Sequence, residues 1–431
     1  MSPFKTTLLL SVAAAASPAA AGGFFLQEQS PLAVGRAFAG GAAIGDSAAT
    51  IWYNPAGMTR LPGVNLDIGA HGLLVDSAQS DRGSTRGVAG TALQVPTGGN
   101  DGGNPFDQPV LIPSGYASFQ VADSRLFLGL GISAPFGLKV VYNDGFFGRY
   151  DSIKSDVKSF NIQPSVAYKI SDTISVGAGF DIQTFKVNLT SALPNVLPTL
   201  PDATSRLQGD DLSFGWNAGV LVDLGQVRLG GHFRSSVKHK LDGAVTVSGL
   251  LGPLAGGNGT RFGLAPLSTP DIATVSAVFG ADKLRLLGSV NWYNWSRFER
   301  IRISSPAGVI LANSEQQYRD TWSYSGAVEY DVSPKLTLRA GSMFDQTPTV
   351  DEFRTTRVPD GNRIWATSGL TYRMSEAVAL NLSYAHVFVK TKQIDRVDAI
   401  FVGTPAAITS RIRSENSGNV DMVAGSVSLH F

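Results

Sequence analysis

Residues Gly22–Thr59 read GGFFLQEQSPLAVGRAFAGGAAIGDSAATIWYNPAGMT and differ in character from the rest of the chain. The stretch is rich in small residues, permits helix formation and contains the step Asn54-Pro55-Ala56. Nearly everything after it is patterned as strands and loops. A compact helical element ahead of a long array of strands predicts a β-barrel whose lumen is filled by a plug. Such a barrel provides a gated path rather than an open pore.

The first 21 residues have the features of a secretory signal peptide. Lys5 supplies a positive charge, an apolar run from Leu8 to Ala16 follows, and Ala19-Ala20-Ala21 offers a cleavage site. The apolar run is far shorter than the ~20 residues of a membrane-spanning helix. We therefore assign residues 1–21 to a signal peptide, 22–62 to the plug and 63–431 to the barrel. A buried N-terminal helix is the alternative for the first segment.

The composition of the 431-residue chain argues against several soluble domains. Charged residues make up 16% and hydrophobic residues 43%, yet no later stretch approaches 18 unbroken apolar residues. The 48 glycines suit turns better than long helices. Cysteine is absent, so an exported chain of this kind must be held by backbone pairing and packing. The net charge of +1 gives no basis for binding nucleic acid.

Alternation with a period of two begins after Pro62 and continues to the end of the chain. In residues 321–332 one face carries Trp322, Tyr324, Val328 and Tyr330, and the other carries Thr321, Ser323, Ser325, Glu329 and Asp331. This period is typical of a strand with one apolar and one more polar face. A soluble β-sandwich would show the same local pattern, so the connections between strands must decide.

Short and long connections alternate along the chain. Six short turns fall near Ala122, Ser171, Leu224, Gly280, Val332 and Met374, and seven longer loops centre near Gly98, Asn143, Pro198, Gly256, Ala307, Asp360 and Gly403. Thirteen connections give fourteen strands, with both chain ends on the side of the short turns. This pattern predicts an all-β, 14-stranded antiparallel barrel of the outer membrane, closed so that no strand edge meets lipid.

The order of several sequence blocks resembles the FadL family, outer-membrane transporters of long-chain fatty acids and other hydrophobic compounds. In the plug, Leu32–Ala37, Asp46-Ser47-Ala48 and Asn54-Pro55-Ala56 keep the order and spacing of the family's N-terminal hatch. Four later blocks are similar to family blocks in the same order: Pro135–Leu138, Trp295–Phe298, Phe344–Pro348 and Val358–Trp365. The resemblance covers essentially the whole mature chain.

The resemblance implies a barrel that the hatch closes on the periplasmic side. It also implies that ligand enters at an extracellular hydrophobic groove, moves to an internal site and leaves sideways beside a kinked third strand. The ligand gradient is then the only energy source, and no cofactor is expected. The implied partners are a long-chain fatty acid or another hydrophobic small molecule, and the lipid or lipopolysaccharide of the outer membrane. The chain is expected to act as a monomer.

Two groups of residues are candidates for gating. In the hatch these are Gly35, Arg36 and Asn54-Pro55-Ala56. Arg36 is expected to pair with a carboxylate of the lumen wall, with a fatty-acid carboxylate as the alternative. In the third strand they are Pro135, Phe136 and Gly137, because proline cannot donate a ladder hydrogen bond and glycine permits unusual backbone angles. A strand that simply ends at Pro135 is the alternative.

Ligand contacts are predicted from charge and apolarity. An anionic head group needs a cation in an apolar lumen, and Lys186 and Arg363 are candidates, with structural ion pairing to acids such as Glu329 and Asp331 as the alternative. Leu197, Leu200 and Leu250 lie in apolar loop runs that are unusual for water-facing loops. These runs are expected to form the capture groove, or else to pack loop on loop.

No motif indicates enzymatic chemistry. The five histidines form no H-E-x-x-H pattern, there is no cysteine for a structural zinc site, and neither a G-x-S-x-G elbow nor a phosphate-binding loop occurs. We therefore expect a transporter with no metal site. A Ser/His/Asp site assembled from separate strands is the enzymatic alternative, and a general porin or an adhesive barrel are the alternatives among non-enzymes.

Overall fold

The structure, a computed structural model, describes residues 23–89, 91, 93–106 and 109–431. The predicted signal peptide, 1–21, lies outside these residues. The chain forms one closed antiparallel barrel of fourteen strands, in which the last strand pairs with the first, Asn65 facing His430 and Asp81 facing Ser414. The prediction of a 14-stranded outer-membrane-type barrel is confirmed.

The barrel strands, five of them broken into two segments, are β1 (Val64–Asp81), β2 (Val110–Gln120), β3 (Leu126–Ser133 and Gly137–Val141), β4 (Lys154–Lys169), β5 (Ile174–Leu193), β6 (Ala203–Asp223), β7 (Val227–Arg234 and Lys238–Ser248), β8 (Gly259–Ser268 and Ile272–Ala281), β9 (Leu284–Tyr293 and Arg300–Ser304), β10 (Ile310–Glu315 and Thr321–Ser333), β11 (Leu336–Asp345), β12 (Arg363–Arg373), β13 (Val378–Ile400) and β14 (Ile408–His430). Two short strands, Thr85–Val88 and Gln94–Pro96, form a hairpin in the loop after β1, and Thr85–Val88 also pairs with β14. Short 3₁₀ helices lie at Gly252–Gly257 and Trp295–Arg297.

The alternation seen in the sequence sorts side chains between lipid and lumen. On β10, Trp322, Tyr324 and Tyr330 are exposed on the outer face, whereas Ser323 and Glu329 are buried inside. An apolar exterior with a polar interior is the arrangement that a bilayer requires of a barrel. All six short turns lie at one end of the barrel and all seven longer loops at the other, where the sequence pattern placed them.

The plug fills the lumen with very short helices. These are α1 (Pro31–Val34), α2 (Gly41–Ile44), α3 (Thr50–Tyr53) and a 3₁₀ helix at Pro55–Arg60. Helices of one turn are not stable on their own, so packing against the barrel must hold them. Consistent with this, almost every plug side chain is buried. No helix among the described residues is long and apolar enough to cross a membrane.

Candidate functional site: the plug seat, the wall break and the lumen cavity

Asn54 fastens the plug to the barrel wall. Its side-chain Oδ1 accepts a hydrogen bond from the Ala56 N–H at 3.0 Å and so caps the 3₁₀ helix that starts at Pro55. Its Nδ2 donates to the Ala42 carbonyl at 2.7 Å and to the carbonyl of Val220, on β6, at 3.0 Å. Asn54 is fully buried, so all of these bonds are shielded from water.

Glycines of the wall allow the plug backbone to approach closely. A Cβ added at Gly219, on β6, would overlap the Asn54 Oδ1, and one added at Gly177, on β5, would overlap the Ala56 backbone. On the far side of the lumen, a Cβ at Gly341 would lie 2.6 Å from the Arg36 carbonyl carbon. Since real Cβ atoms do not approach this closely, the plug can dock only because these positions lack side chains. We call the surface around these wall glycines the seat of the plug.

Arg36 joins the plug to an ion-pair network on the wall. Its guanidinium lies 2.7 Å from Asp46 in the plug and 3.4 Å from Glu329 on β10. Glu329 in turn pairs with Arg339 at 2.7 Å and with Arg285 at 2.9 Å. Burial alone would lower the pKa of Arg36, but Asp46 and Glu329 raise it above the ordinary value, so the group stays charged. The ion-pair partners of Arg36 are thus Asp46 and Glu329, two carboxylates of the protein itself.

The third strand is broken at the residues singled out in the sequence. Ser133 faces Asn161 on β4, whereas Gly137 faces Lys158. Between these two pairs β3 therefore contains one residue more than β4. The extra residue is a bulge that bends the strand. Strand β3 does not end at Pro135, because Gly137–Val141 resumes pairing with β4.

The break opens the ladder between β2 and β3. Their pairing starts only at Gly115, which faces Ile132, and β2 residues 110–114 pair with β1 alone. Pro113 lies within this part of β2, which does not pair with β3, and lacks an N–H to donate. Pro113 was not among the residues predicted from the sequence, although a proline inside a strand is itself a signal of an edge.

The start of the plug occupies the break from inside. The Leu26 N–H donates to the Pro135 carbonyl at 2.8 Å, and the Gly137 N–H donates to the Phe24 carbonyl at 2.9 Å. The Phe25 and Phe136 backbones form an isolated antiparallel bridge, with their rings 5.5 Å apart between centroids. Backbone groups left unpaired by the wall are thus satisfied by the plug.

Glu28, two residues further on, is buried without a hydrogen-bond partner on either carboxylate oxygen among the described residues. Burial raises its pKa to about 7, against the opposing influence of nearby backbone N–H groups and of Arg363. The carboxyl therefore changes its protonation state near neutral pH while the plug is seated.

An apolar cavity lies above the plug. Phe24 forms its floor, and its wall comes from alternate residues of β3 to β9, among them Leu138, Val157, Phe185, Val187, Leu207, Leu241, Leu267 and Ile301. Leu138 and Val358 line both this cavity and a second one beside Val75 and Phe106.

Two arginines line the main cavity. Arg300 pairs with Glu315 at 3.3 Å and with Glu299 at 3.6 Å. Arg357, from the loop between β11 and β12, lies 3.9 Å from its nearest carboxylate, Asp151. That carboxylate already accepts hydrogen bonds of 2.6 Å from the N–H and the hydroxyl of Thr356.

The charge of Arg357 is poorly compensated. Its guanidinium donates mainly to neutral groups, the Ser155 hydroxyl at 3.1 Å and the backbone carbonyls of Asp151 and Lys154. Burial lowers its pKa below the ordinary arginine value, with Asp151 opposing the shift. Nothing in the sequence pattern singled out Arg357, because its position over the cavity depends on the course of a long loop.

The predicted ligand residues fall in different places. Lys186 is exposed on the outer face of β5, because its neighbours Phe185 and Val187 take the inward positions, so it does not reach the cavity. Arg363 is buried beside the second cavity and pairs with Asp345 and Asp360. Among the loop leucines, Leu197 is 58% exposed. Leu200 is half-buried, and Leu250 is buried in loop-on-loop packing with Leu254 and Ala203.

Comparison with known proteins identifies the family. Residues 12–431 match the family described as outer membrane protein transport protein (OMPP1/FadL/TodX). The chain belongs to this family.

Relatives within and around the OMPP1/FadL/TodX family cover nearly the full length. The chain is 25% identical to the long-chain fatty acid transport protein of Escherichia coli O6:H1, over 84% of this chain and 86% of that protein. The crystal structure of a Pseudomonas aeruginosa FadL homologue has a TM-score of 0.85 at 23% identity, covering 95% of this chain and all of the other. The toluene transporter TodX of Pseudomonas putida has a TM-score of 0.66 at 15% identity, covering 95% and 100% of the two chains.

Membership settles the class of activity and the location. This chain is an outer-membrane protein of a family that transports hydrophobic substrates, and the family is one of transporters rather than enzymes. Within the described part of the chain no group of His, Asp and Glu side chains is arranged to hold a metal ion.

Proposed function

We propose that this protein is a passive channel for long-chain fatty acids, which bind in the main cavity with their carboxylate at Arg357. The observation that carries the proposal is a half-buried guanidinium, 3.9 Å from its nearest carboxylate, at the edge of an apolar cavity in the lumen. A long alkyl chain with one terminal anion matches both features. The fatty-acid transport function of the E. coli relative supports the same substrate class.

Release sideways through the break between β2 and β3 is the second part of the proposal. It is supported by β2 residues 110–114, which pair with β1 but not with β3, and by the bulge at Pro135. The gap lies next to the second cavity, which shares the lining residue Leu138 with the main one. For the ligand to leave, Phe24–Leu26 must withdraw from the break, whereas the rest of the plug stays seated. The ligand gradient drives the movement.

Capture begins at the extracellular loops. Leu197 and Leu251 are exposed, at 58% and 42%, beside the buried cluster of Leu250, Leu254 and Ala203. These exposed leucines give an alkyl chain an apolar surface on which to dock before it enters the lumen. A general porin is disfavoured because the plug crosses the lumen and its seat leaves no room beside the wall glycines.

An aromatic hydrocarbon is the second candidate substrate. The cavity lining is mostly apolar, and the structural likeness to TodX shows that this fold is also found in a protein described as a toluene transporter. A hydrocarbon has no charge, so its binding would gain nothing from Arg357.

Binding of oleate and of toluene to the purified protein distinguishes the two substrates. For Arg357→Gln we expect the affinity for oleate to fall about tenfold to a hundredfold, because a charge-assisted hydrogen bond contributes about 1.5–3 kcal/mol. Arg357→Lys should recover part of the loss, and toluene binding should stay unchanged in both variants, which controls for the folding of the loop. Oleate binding that is indifferent to Arg357→Gln would contradict the proposal, and tighter binding of toluene than of oleate would favour the hydrocarbon.

A further inference from the structure

The outer face of the barrel carries a group of lysines at the extracellular ends of β3 to β5. We call it the lysine patch; it consists of Lys139, Lys154, Lys158 and Lys186. All four lie on the outward register of their strands, since the intervening residues, such as Leu138, Val157 and Phe185, are buried inside. The patch therefore has no part in the lumen or its ligand.

The patch begins where the lipid-facing band ends. Along the outward register of β4, Tyr168, Val166, Ile162 and Phe160 precede Lys158 and Lys154. Along β5, Ile174, Val176, Phe180 and Ile182 precede Lys186. The side chains change from apolar to basic within about four residues on both strands, so the lysines lie at the level of the outer-leaflet head groups.

The lysines have too few partners within the protein. Asp156 is the one carboxylate near them that forms ion pairs, 3.5 Å from Lys158 and 4.0 Å from Lys154. In the part of the chain that the structure describes, neither Lys139 nor Lys186 has an ion pair. Lys158 and Lys186 are direct cross-strand partners. Like charges in that position destabilise a sheet unless an anion lies between them.

Cations at the same end of β13 and β14 are arranged differently. Arg411 binds Asp395 through two bonds of 2.7 and 2.8 Å, Arg413 lies 3.4 Å from the same carboxylate, and Arg82 lies 3.3 Å from Glu415. Each of those three cations thus lies within ion-pair distance of a carboxylate. Among the described residues Lys139 and Lys186 do not, although Asp156 and Asp210 are their cross-strand partners, and in the patch four cations face these two carboxylates.

We propose that the lysine patch is a binding site for the phosphate groups of the outer-leaflet glycolipid, the lipid A part of lipopolysaccharide. A phosphate placed between Lys158 and Lys186 would relieve their repulsion, and lysine is a common ligand of phosphate. The acyl chains of the same lipid would lie on the apolar residues just below. The site rests on the fold and the outer-membrane location alone, so it is independent of the proposed substrate.

Binding of fluorescent bisphosphorylated lipid A to the purified full chain in detergent tests the assignment. For the double variant Lys158→Gln, Lys186→Gln we expect the affinity to fall about thirtyfold at low salt, since each basic residue near an anionic lipid surface contributes a factor of about five. The matched control is Lys283→Gln, Lys335→Gln, which removes the same charge from exposed turns at the periplasmic end and should bind like the wild type.

Three further results decide the case. Wild-type protein should bind dephosphorylated lipid A no better than the patch variant binds the phosphorylated form, and inorganic phosphate at the same concentration should not compete. Equal loss in the two double variants would overturn the site. Equal binding of phosphorylated and dephosphorylated lipid would overturn the role of phosphate, and effective competition by inorganic phosphate would overturn the lipid as ligand. Oleate binding, unchanged in both variants, verifies that the barrel is intact.

Discussion

The plug meets the wall in two unlike ways. Along β5, β6 and β11 its backbone lies against wall glycines, with Asn54 bonded to β6 and Arg36 paired with Glu329. At β3 the wall itself is incomplete, because β2 residues 110–114 do not pair with β3, and three residues of the plug, Phe24–Leu26, bond to β3 instead. At the seat the barrel wall is continuous, whereas the break is closed only by the extended plug segment Phe24–Leu26.

This difference indicates where a ligand can pass. Opening the seat would expose a buried ion-pair network and the bonds of Asn54, and each broken buried pair costs about 3–5 kcal/mol. Opening the break requires a short segment to give up two backbone hydrogen bonds, at a net cost of about 1 kcal/mol each, and to withdraw the buried rings of Phe24 and Phe25 from Phe136 and Trp295. The proposed lateral route needs neither the Arg36 ion pairs nor the bonds of Asn54 to break, so it leaves the seat closed.

The largest effect is expected from filling a glycine of the seat. Gly219→Leu should drive Asn54 out of place. Overpacking that destabilises the docked plug by about 2 kcal/mol shifts the equilibrium between docked and undocked plug about thirtyfold toward the undocked form. We expect a comparable rise in single-channel conductance in planar bilayers. Gly115→Leu is the control, because nothing lies within 4 Å of a Cβ at that outward position. Equal conductance in the two variants would show that the seat does not block the lumen.

The next effect comes from repairing the break. Deleting Pro135 removes the extra residue of β3, so that its two segments share one register against β4. Two restored ladder bonds at about 1 kcal/mol each should lower fatty-acid uptake more than tenfold while the barrel still assembles.

Substituting Pro135→Ala keeps the extra residue and hence the break, so its uptake should stay within about twofold of the wild type. The two variants thus separate the register of β3 from the identity of one side chain. Full uptake by the deletion variant would exclude release at this position.

The smallest expected effect is a pH dependence of the segment in the break. Glu28 has a pKa of about 7 when the plug is seated and about 4.5 when exposed, so the seated form holds a proton that the withdrawn form loses. Seating is therefore favoured at and below about pH 4.5 and weakens as pH rises to about 7.

Hydrogen exchange of the amides of Leu26 and Gly137 measures this directly. Their protection should fall between pH 5 and pH 8, after correction for the intrinsic exchange rate, and Glu28→Gln should remove the dependence. Protection that is constant with pH in the wild type, or a dependence that persists in Glu28→Gln, would show that the carboxyl of Glu28 is not responsible.

The fold could be predicted from the sequence because it rests on local signals. Alternation on single strands and the spacing of turns gave the faces and the count of fourteen, and the short helices of the plug were anticipated from small residues around Asn54-Pro55-Ala56. Pro135 indicated the break for the same reason, since a missing N–H is a property of the residue itself.

The sequence predicted an apolar site in the lumen with a cation, but not the cation that lines the main cavity. Lys186 is basic and close in sequence to Phe185 and Val187, yet one position of register places it on the outer face of the barrel instead of in the lumen. Arg357 reaches the cavity through a loop whose course is fixed by its contacts with Asp151 and Ser155, more than 200 positions away in the chain. Long-range contacts of this kind leave no mark in a single sequence.

A disulfide between plug and wall tests most directly whether ligand passes while the seat stays closed. The chain has no cysteine, so Ala42→Cys with Ser276→Cys is a single engineered pair, at positions where the Ala42 N–H donates to the Ser276 hydroxyl at 3.1 Å. We predict that fatty-acid uptake in the oxidised protein stays within about twofold of that in the reduced protein, because the pair leaves Phe24–Leu26 free to withdraw. Uptake that stops on oxidation and returns on reduction would contradict the lateral route.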